Sequence, residues 1–337
     1  MLEYKDISSY LSAHENFLLV PHEDPDGDTL GAALGLAVAF RKAGKTSRIF
    51  LPKPLSFGLQ FLQPALDAMG GSFVWSEMPR DLSKIEQVIY FDCADTKLVQ
   101  KSSHLIGDGR FSSINIDHHV DNKRYADINF VDATCASTTQ VVYNIINTMK
   151  IELDKDILLP LYTGLMTDTG SFAYSNTTEA VFEMAAVCMK YGVKPYDVYR
   201  YVYEEKPYEV VVLLGEMLTK IHIEPNKKVA WVYVTQEVLD RYSGTNSYTE
   251  GMVNHLRSIR GIEVAIVIRQ STSVLRVSLR SKSDIKVNLI AAQFSGGGHE
   301  KASGCKLDLN NTNPQRAIEN FIGYVNDFVE KSLAGVK

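Results

Sequence analysis

The chain has 337 residues, 45% of them hydrophobic and 22% charged, with a net charge of −5. That length exceeds what one hydrophobic core usually fills, so two domains are expected of an ordinary globular composition. No apolar run approaches the roughly 20 residues of a membrane-spanning helix, and residues 1–6 show neither a basic start nor an apolar signal region, so a cytoplasmic protein is expected.

In chain order, residues 17–20 (Phe-Leu-Leu-Val) predict a buried strand, and residues 28–43, rich in Ala, Leu and Gly and ended by Gly44, predict a helix. Strands follow over 47–51, 87–91 and 113–116, then helices over 137–149 and 154–165. Strands alternating with helices at these lengths indicate an α/β domain, a mostly parallel sheet with flanking helices on both faces. From residue 178 the pattern is helical: 178–191, 195–203 and 208–221, with Pro195 and Pro207 near helix starts. A smaller mixed α/β unit begins with a strand over 229–234. It continues with a hairpin of 263–269 and 274–279 turning at Gln270-Ser271-Thr272-Ser273, a strand over 302–309 and a helix over 314–331. The expected division is a catalytic domain at 1–190, a helical linker at 191–224 and a second domain at 225–337.

Cys93, Cys135, Cys188 and Cys305 are far apart and form no CxxC pair, which excludes a zinc ribbon or disulfide framework and predicts buried free thiols. The charge is uneven. Residues 225–337 carry 15 basic and 10 acidic side chains, leaving 20 basic and 30 acidic before them. An acidic half invites metal cations and a basic half invites phosphates.

Three strands run directly into acids or histidines. The first is followed by His22, Glu23, Asp24, Asp26 and Asp28, the second by Asp92 and Asp95, the third by Asp117-His118-His119. In open α/β sheets ligands bind outside the carboxyl ends of the strands, so these segments are expected to converge. A fourth cluster, Thr167-Asp168-Thr169-Gly170, follows a helical run. Crowded carboxylates raise one another's pKa and cost energy unless cations intervene. Imidazole and carboxylate donors without thiolate suit manganese, magnesium, cobalt or iron, with zinc admissible. Two such ions roughly 3.5 to 4 Å apart would activate a water and clamp a phosphoryl oxygen. A lone acid at a strand end is more often a cap or turn residue, the role expected of Glu23 and Asp95.

In the basic half, Gly296-Gly297-Gly298 would let backbone N–H groups approach a phosphate, with His299 and Lys301 as added donors. The bland alternative is a flexible turn before the strand at 302–309. Between Arg257 and Lys286 seven basic residues face two acids. Arg280 is the choice for a phosphate fork, because a guanidinium presents two parallel donors, whereas some of the others only solvate the hairpin. No GxxxxGK[ST] occurs and no GxGxxG follows the first strand, so ATP-driven and nicotinamide chemistry have no support.

Taken in order, His22-x-x-x-Asp26-x-Asp28, Asp92, Asp117-His118-His119 and Asp168 resemble the signature of the DHH phosphoesterases. The stretch from Gly296 to Gly304 resembles the glycine-rich motif of the associated DHHA1 domain. The likeness runs from about Phe17 to Gly304 and is nearest to the bifunctional oligoribonuclease and pAp phosphatase group, the nanoRNases. It implies a DHH metal-binding domain, a DHHA1 substrate-binding domain and an active-site cleft between them. It implies that His22 and Asp26 bind one metal ion, that Asp28, His118 and Asp168 bind another, and that Asp92 bridges both. His119 would face the substrate phosphate as ligand or general acid, and Asp117 would orient the neighbouring imidazoles. Ser278-Leu279-Arg280-Ser281 resembles the family's substrate-binding strand end, which sets Arg280 and Ser281 beside Gly296, Gly297, Gly298 and His299.

The implied activity is two-metal hydrolysis, with manganese or else magnesium or cobalt, of short RNA or DNA oligonucleotides to mononucleotides and of pAp to AMP. A homodimer is compatible with the resemblance. Three alternatives stay open: a phosphodiesterase for cyclic dinucleotides or their linear products, an inorganic pyrophosphatase, and a non-catalytic nucleotide sensor. The glycine-rich motif argues against the pyrophosphatase, and the intact ligand set against the sensor.

Overall fold

The apolar run at 17–20 lies inside β1 (Asn16–Pro21), buried on both faces as a central parallel strand requires. The computed structural model describes residues 2–70, 74–78, 81–242, 246–249, 251–271, 273–309 and 312–335. The chain divides into two compact units, Met1–Glu205 and Lys206–Lys337.

The first unit contains α1 (Tyr4–Ala13), β1, α2 (Gly27–Lys42), β2 (Thr46–Phe50), α3 (Gln63–Ala68), β3 (Val74–Trp75) and β4 (Gln87–Phe91). It continues with β5 (Ser112–Asp117), β6 (Ile128–Val131), α4 (Thr138–Thr148), α5 (Lys155–Asp168), α6 (Glu179–Lys190) and α7 (Pro195–Tyr199). Six strands pair in the order β3-β2-β1-β4-β5-β6, all parallel. The order reverses between β1 and β4. The chain leaves β1 toward β2 on one side and returns on the other, and at such a switch point the departing loops open a crevice at the carboxyl ends of the strands.

Phe17 and Leu19 face a core built by α1, α2, α4, α5 and α6. Leu18, Val20, Val88 and Tyr90 face the other way, where Leu82, Ile85, Val99, Leu105 and Phe111 cover them. Helices were expected on both faces. The described covering segments on this second face are loops and 3-10 turns, because residues 77–111 hold only short apolar clusters separated by polar turn residues.

α2 carries Gly27, Gly31 and Gly35 on one stripe against α5. A Cβ on Gly31 would lie 2.3 Å from the Pro160 carbonyl oxygen, and one on Gly27 2.4 Å from Thr167 Oγ1. Three glycines weaken a helix by propensity, yet here they let two helix backbones close and bring Asp28 and Asp168 to one place.

The second unit contains α8 (Tyr208–Leu218), β7 (His222–Ile223), β8 (Val229–Val234), α9 (Gln236–Arg241), α10 (Met252–Ser258), β9 (Val264–Ser271) and β10 (Val274–Ser281). α11 (Val287–Gln293), β11 (Gly297–His299), β12 (Ala302–Asp308) and α12 (Pro314–Ala334) complete it. Its sheet has the order β11-β12-β10-β9-β8-β7, with β8 and β9 parallel and the rest antiparallel. α11 and α12 cover one face, and α8, α9 and α10 the other.

Several expectations shift. The helix expected to stop at 165 runs to Asp168, the helix at 208–221 ends at Leu218, and 195–203 becomes α7 followed by a π-helical turn, Arg200–Glu204. The hairpin turn is shorter than four residues, because Gln270 and Ser271 already pair with Leu275 and Val274. Thr272 of that turn lies outside the described residues. The glycine-rich segment is neither loop nor flexible turn: Gly297–His299 is a strand on β12. A Cβ on Gly296 would sit 2.1 Å from the Gly304 carbonyl oxygen, and Gly298 has φ +125°, so close strand approach alone demands both glycines. All four cysteines are buried free thiols, and no described helix is long and apolar enough to cross a membrane.

Candidate metal centre

The strand ends of the first unit meet at the switch point. The His22 N–H donates to Thr29 Oγ1 (3.2 Å), and that hydroxyl donates to the Phe91 carbonyl (3.0 Å), so one threonine ties the ends of β1 and β4 together. Asp26 caps α2, accepting the N–H groups of Asp28 and Thr29 at 3.0 and 3.1 Å. Asp92 follows β4 in a left-handed conformation (φ +57°) that aspartate tolerates better than most residues. Asp117 ends β5. Its Oδ1 accepts the N–H groups of His118 and His119 (2.7 and 3.2 Å), an Asx turn that sets the two imidazoles edge to face with centroids 4.8 Å apart.

Among the groups of converging donors described in the first unit are His22, Asp26 and Asp92, and Asp28, His118 and Asp168, with a further group of Asp92, Asp117, His118 and His119 that shares members with both. His22 Nε2 lies 3.8 Å from Asp26 Oδ1 and 3.8 Å from Asp92 Oδ2. His118 Nε2 lies 3.4 Å from Asp168 Oδ2, 3.9 Å from Asp28 Oδ2 and 3.5 Å from Asp92 Oδ1. Each Asp92 oxygen thus faces a different group. These separations exceed the usual hydrogen-bond length and are mostly slightly wider than the about 3 to 3.4 Å between adjacent ligands of an ion bonded at about 2.1 Å, as expected of donors facing a common centre. The oxygen and imidazole donor set fits divalent manganese, magnesium or cobalt.

The neighbourhood holds these donors in place. Buried Asp28 accepts Thr138 N–H (2.7 Å), Thr139 N–H (2.8 Å) and Thr139 Oγ1–H (2.8 Å) at the N-terminus of α4, where helix N–H groups favour a carboxylate. Thr138 Oγ1 donates to Asp92 Oδ1 (3.0 Å). His118 Nδ1 donates to the Cys135 carbonyl (3.3 Å), which fixes the tautomer and leaves Nε2 as the donor toward the cluster. Burial, then repulsion from neighbouring carboxylates, pushes Asp92 and Asp168 well above the usual carboxylate range. Burial also holds the His118 ring below the ordinary histidine range, as a neutral ligand requires. His119 goes the other way. Burial opposes its charge, but Asp117, 2.7 Å from Nδ1, outweighs that and lifts the ring to about 9. Asn122 Nδ2 donates to the other Asp117 oxygen.

Asp95 accepts the Lys97 N–H (3.0 Å) at the cap of a 3-10 turn, the role expected of it, whereas Glu23, expected as a cap or turn residue, instead accepts the N–H of Lys101, 78 residues away (2.7 Å). The sequence reading missed Thr29, Asn122, Thr138, Thr139 and Asn176, the last of which bonds the carbonyls of Ala136 and Asp168 at 3.1 Å each. A hint existed for two of them: Ser137-Thr138-Thr139 opens a predicted helix, and such N-termini receive anions.

In the second unit, Arg280 on β10 and His299 on β11 are both register partners of Ala302 on β12. Cross-strand partners share a face, so the Arg280 and His299 side chains leave the sheet on the same face as the small Ala302, from the strands on either side of it. Arg280 Nη1 also donates to the Leu279 carbonyl (2.9 Å). Ser281, one residue on, points to the opposite face, where it is buried and its Oγ lacks a hydrogen-bond partner among the described residues. Of the seven basic residues, Arg269 donates to Thr249 and Ser278, Lys282 to the Ile259 carbonyl, and Lys286 pairs with Glu300.

Comparison with known proteins agrees with this layout. The DHH family, N-terminal domain, matches residues 16–165, and the DHHA1 domain matches residues 226–331. The bifunctional oligoribonuclease and PAP phosphatase NrnA of Thermus thermophilus is 28% identical over 292 residues, 86% of this chain and 83% of its own. The protein of the same name from Bacillus subtilis is 27% identical over 311 residues, 88% of this chain and 91% of its own. The crystal structure of an exopolyphosphatase-related protein from Bacteroides fragilis superposes with a TM-score of 0.81 at 23% identity, covering 97% of this chain and 96% of that one, a likeness of fold. With the histidine and aspartate motifs gathered at one switch point and both domains matched in order, this chain belongs to the DHH phosphoesterase family, its DHH domain followed by a DHHA1 domain.

Proposed function

We propose that this protein is a metal-dependent phosphoesterase that hydrolyses short oligoribonucleotides to mononucleotides and pAp to AMP. The observation that carries the reading is the pair of carboxylate–imidazole groups that share Asp92, one group at each of its oxygens. The names of the relatives, oligoribonuclease and PAP phosphatase, supply the substrate class. His22 and Asp26 would hold one ion, Asp28, His118 and Asp168 the other, and Asp92 both, with manganese the proposed metal and magnesium or cobalt as substitutes. When bound there, the ions supply positive charge for a phosphoryl group and acidify a water.

The rest falls to the chain. Asp117 engages Nδ1 of His119 and keeps the ring protonated. Nε2–H then serves a phosphate oxygen or the departing nucleoside oxygen. Thr138 and the N-terminus of α4 fix Asp92 and Asp28, so the carboxylates need not reorganise as charge develops. Arg280 and His299, with the backbone of Gly296, Gly297 and Gly298, would hold the substrate's other end, whereas Ser281, buried on the opposite face, takes no part in it. The proposed division of labour is catalysis in 1–190, a linker in 191–224 and substrate binding in 225–337, in a cytoplasmic enzyme that admits a homodimer.

A panel of dinucleotide, longer RNA, pAp, cyclic di-AMP and pyrophosphate, run with manganese, tests the reading. Mononucleotides from the dinucleotide and AMP from pAp are expected to dominate. Preferential release of phosphate from pyrophosphate, preferential opening of cyclic di-AMP, or binding without turnover would each overturn it in favour of a different activity.

A further inference from the structure

Directly after Asp168 the backbone does something costly. Gly170, Ser171 and Phe172 take φ of +57°, +59° and +65° in succession, a left-handed run that L-residues avoid and that is worst for a bulky side chain. Packing secures it: the Phe172 ring lies 6.0 Å from Tyr162 and 5.7 Å from Phe182, at the edge of the main core. The outcome is the placement of Tyr174. Its ring lies across Gly170, so closely that a Cβ there would come within 2.3 Å of it.

A second unusual element lies near this loop. The π-helical turn Arg200–Glu204 is pinned by the Tyr201 ring stacked on Phe61 (4.9 Å, 9°), by Val202 against Gly58, and by an Arg200–Glu205 ion pair of 3.0 Å. Tyr203, projecting from it, lies beside Ser171 and within electrostatic reach of Tyr174 and Asp168. Tyr199 backs its ring at 5.0 Å. Tyr174 and Tyr203 are both half-buried. Neither π-turns nor strained left-handed runs persist without support, and both recur at functional sites.

We propose that Tyr174 and Tyr203 form a stacking ledge for a nucleobase of the substrate beside the Asp168 corner of the metal centre. The inference rests on the nucleotide substrate class proposed above and adds a specificity device within the catalytic unit. Aromatic faces hold any base, because every base presents a π-face. A ledge at this place would bind the nucleotide whose phosphate is cleaved, whatever its sequence, and would discriminate against phosphate esters without a base.

The test uses the full-length manganese enzyme and three substrates: an intact dinucleotide and two analogues, abasic at the 5′ or at the 3′ nucleotide. For the wild type, kcat/KM is expected to fall about tenfold or more for one of the two analogues. That deficit is expected to shrink below threefold in Tyr174→Ala and in Tyr203→Ala, to persist in Tyr203→Phe, which keeps the ring, and to leave bound manganese unchanged in all three. A wild type indifferent to base removal, a deficit that survives both alanine variants, or manganese lost from them would each overturn the ledge. A wild type that cannot cleave the intact dinucleotide would overturn the substrate class itself and the ledge with it, an outcome distinct from the others.

Discussion

Asp92 combines a left-handed backbone with a carboxylate shared between two donor groups. Its N–H donates to the Ile116 carbonyl (3.0 Å), and Thr138 holds its side chain. Asparagine adopts this conformation as readily as aspartate, so Asp92→Asn keeps the turn and removes the charge. Turnover is expected to fall by several orders of magnitude with loss of manganese, while the circular dichroism spectrum stays unchanged. Asp95→Ala removes a cap of a short turn. It should cost about 1 kcal/mol of stability and change turnover less than threefold; equal losses in the two variants would remove Asp92 from the centre of the site. His119 allows a test by pH. Against the effect of burial, Asp117, helped by Asp168 and Asp121, raises the ring's pKa, so the proton is retained to higher pH than these neighbours' absence would allow and is lost as pH rises further. In Asp117→Asn burial prevails and the ring's pKa drops, so the alkaline limb of the kcat profile should move to lower pH. A limb that stays in place would exclude His119 as the proton-bearing group.

At the scale of elements, the glycine stripe of α2 can be tested without touching a donor atom. Gly31→Ala drives a methyl into the Pro160 carbonyl, an overpacking expected to cost about 2–4 kcal/mol and to weaken manganese binding as α5 shifts. Gly215 in α8 and Gly323 in α12 have nothing within 4 Å of an added Cβ. Alanine there should stabilise by about 0.5–1 kcal/mol, and thermal unfolding reads both directions. Much of this architecture was legible in the sequence. β1, β4 and β5 lie within a residue or two of expectation because β1 and β4 hold continuous apolar runs and β5 alternates isoleucine with Ser113 and Asn115, and each delivers its acid or histidine where the pattern stops. Asp168 was legible as chemistry but not as the last residue of α5. The cradle of Asp28 was hinted at only by the helix N-terminus at Ser137-Thr138-Thr139; that its N–H groups serve a carboxylate 110 residues away leaves no residue-type signature. Nor was the purpose of Gly296 and Gly298 legible. Glycine serves a phosphate and a neighbouring strand equally well, and only the pairing of β11 with β12 shows that the strand already requires it. β6 and β7, four and two residues long, are too short for a period to emerge.

Across the whole molecule, each unit closes its own hydrophobic core. All the proposed ion ligands lie in the first unit and all the proposed substrate-end contacts in the second. Calorimetry is therefore expected to resolve two transitions, of which a chelator lowers only one, since an ion stabilises only the unit that binds it. His299→Ala and Arg280→Ala should reduce kcat/KM on dinucleotides by roughly ten- to a hundredfold, the loss of one charge-assisted hydrogen bond. Hydrolysis of bis-p-nitrophenyl phosphate, which has no far end to hold, should suffer much less, and manganese content should stay the same. Equal losses on both substrates would put these two side chains at the reacting phosphate.

The reversal of strand order between β1 and β4 also bears on the time course of folding. Phe17 must find Gln87 and Pro21 must find Phe91 before the seam between these strands exists. Chain closures of that length are slow steps in folding. The donors belong to segments scattered from His22 to Asp168, so no local stretch can capture an ion and nucleate the unit, as a zinc finger does. An ion arrives only when the seam has closed. Manganese should therefore leave the refolding rate unchanged and slow unfolding, by roughly a hundredfold for each ion bound at a concentration a hundred times its dissociation constant. Stopped-flow traces with and without the ion would separate the two limbs, and a refolding rate that climbs with manganese would mean the donors assemble before the sheet does.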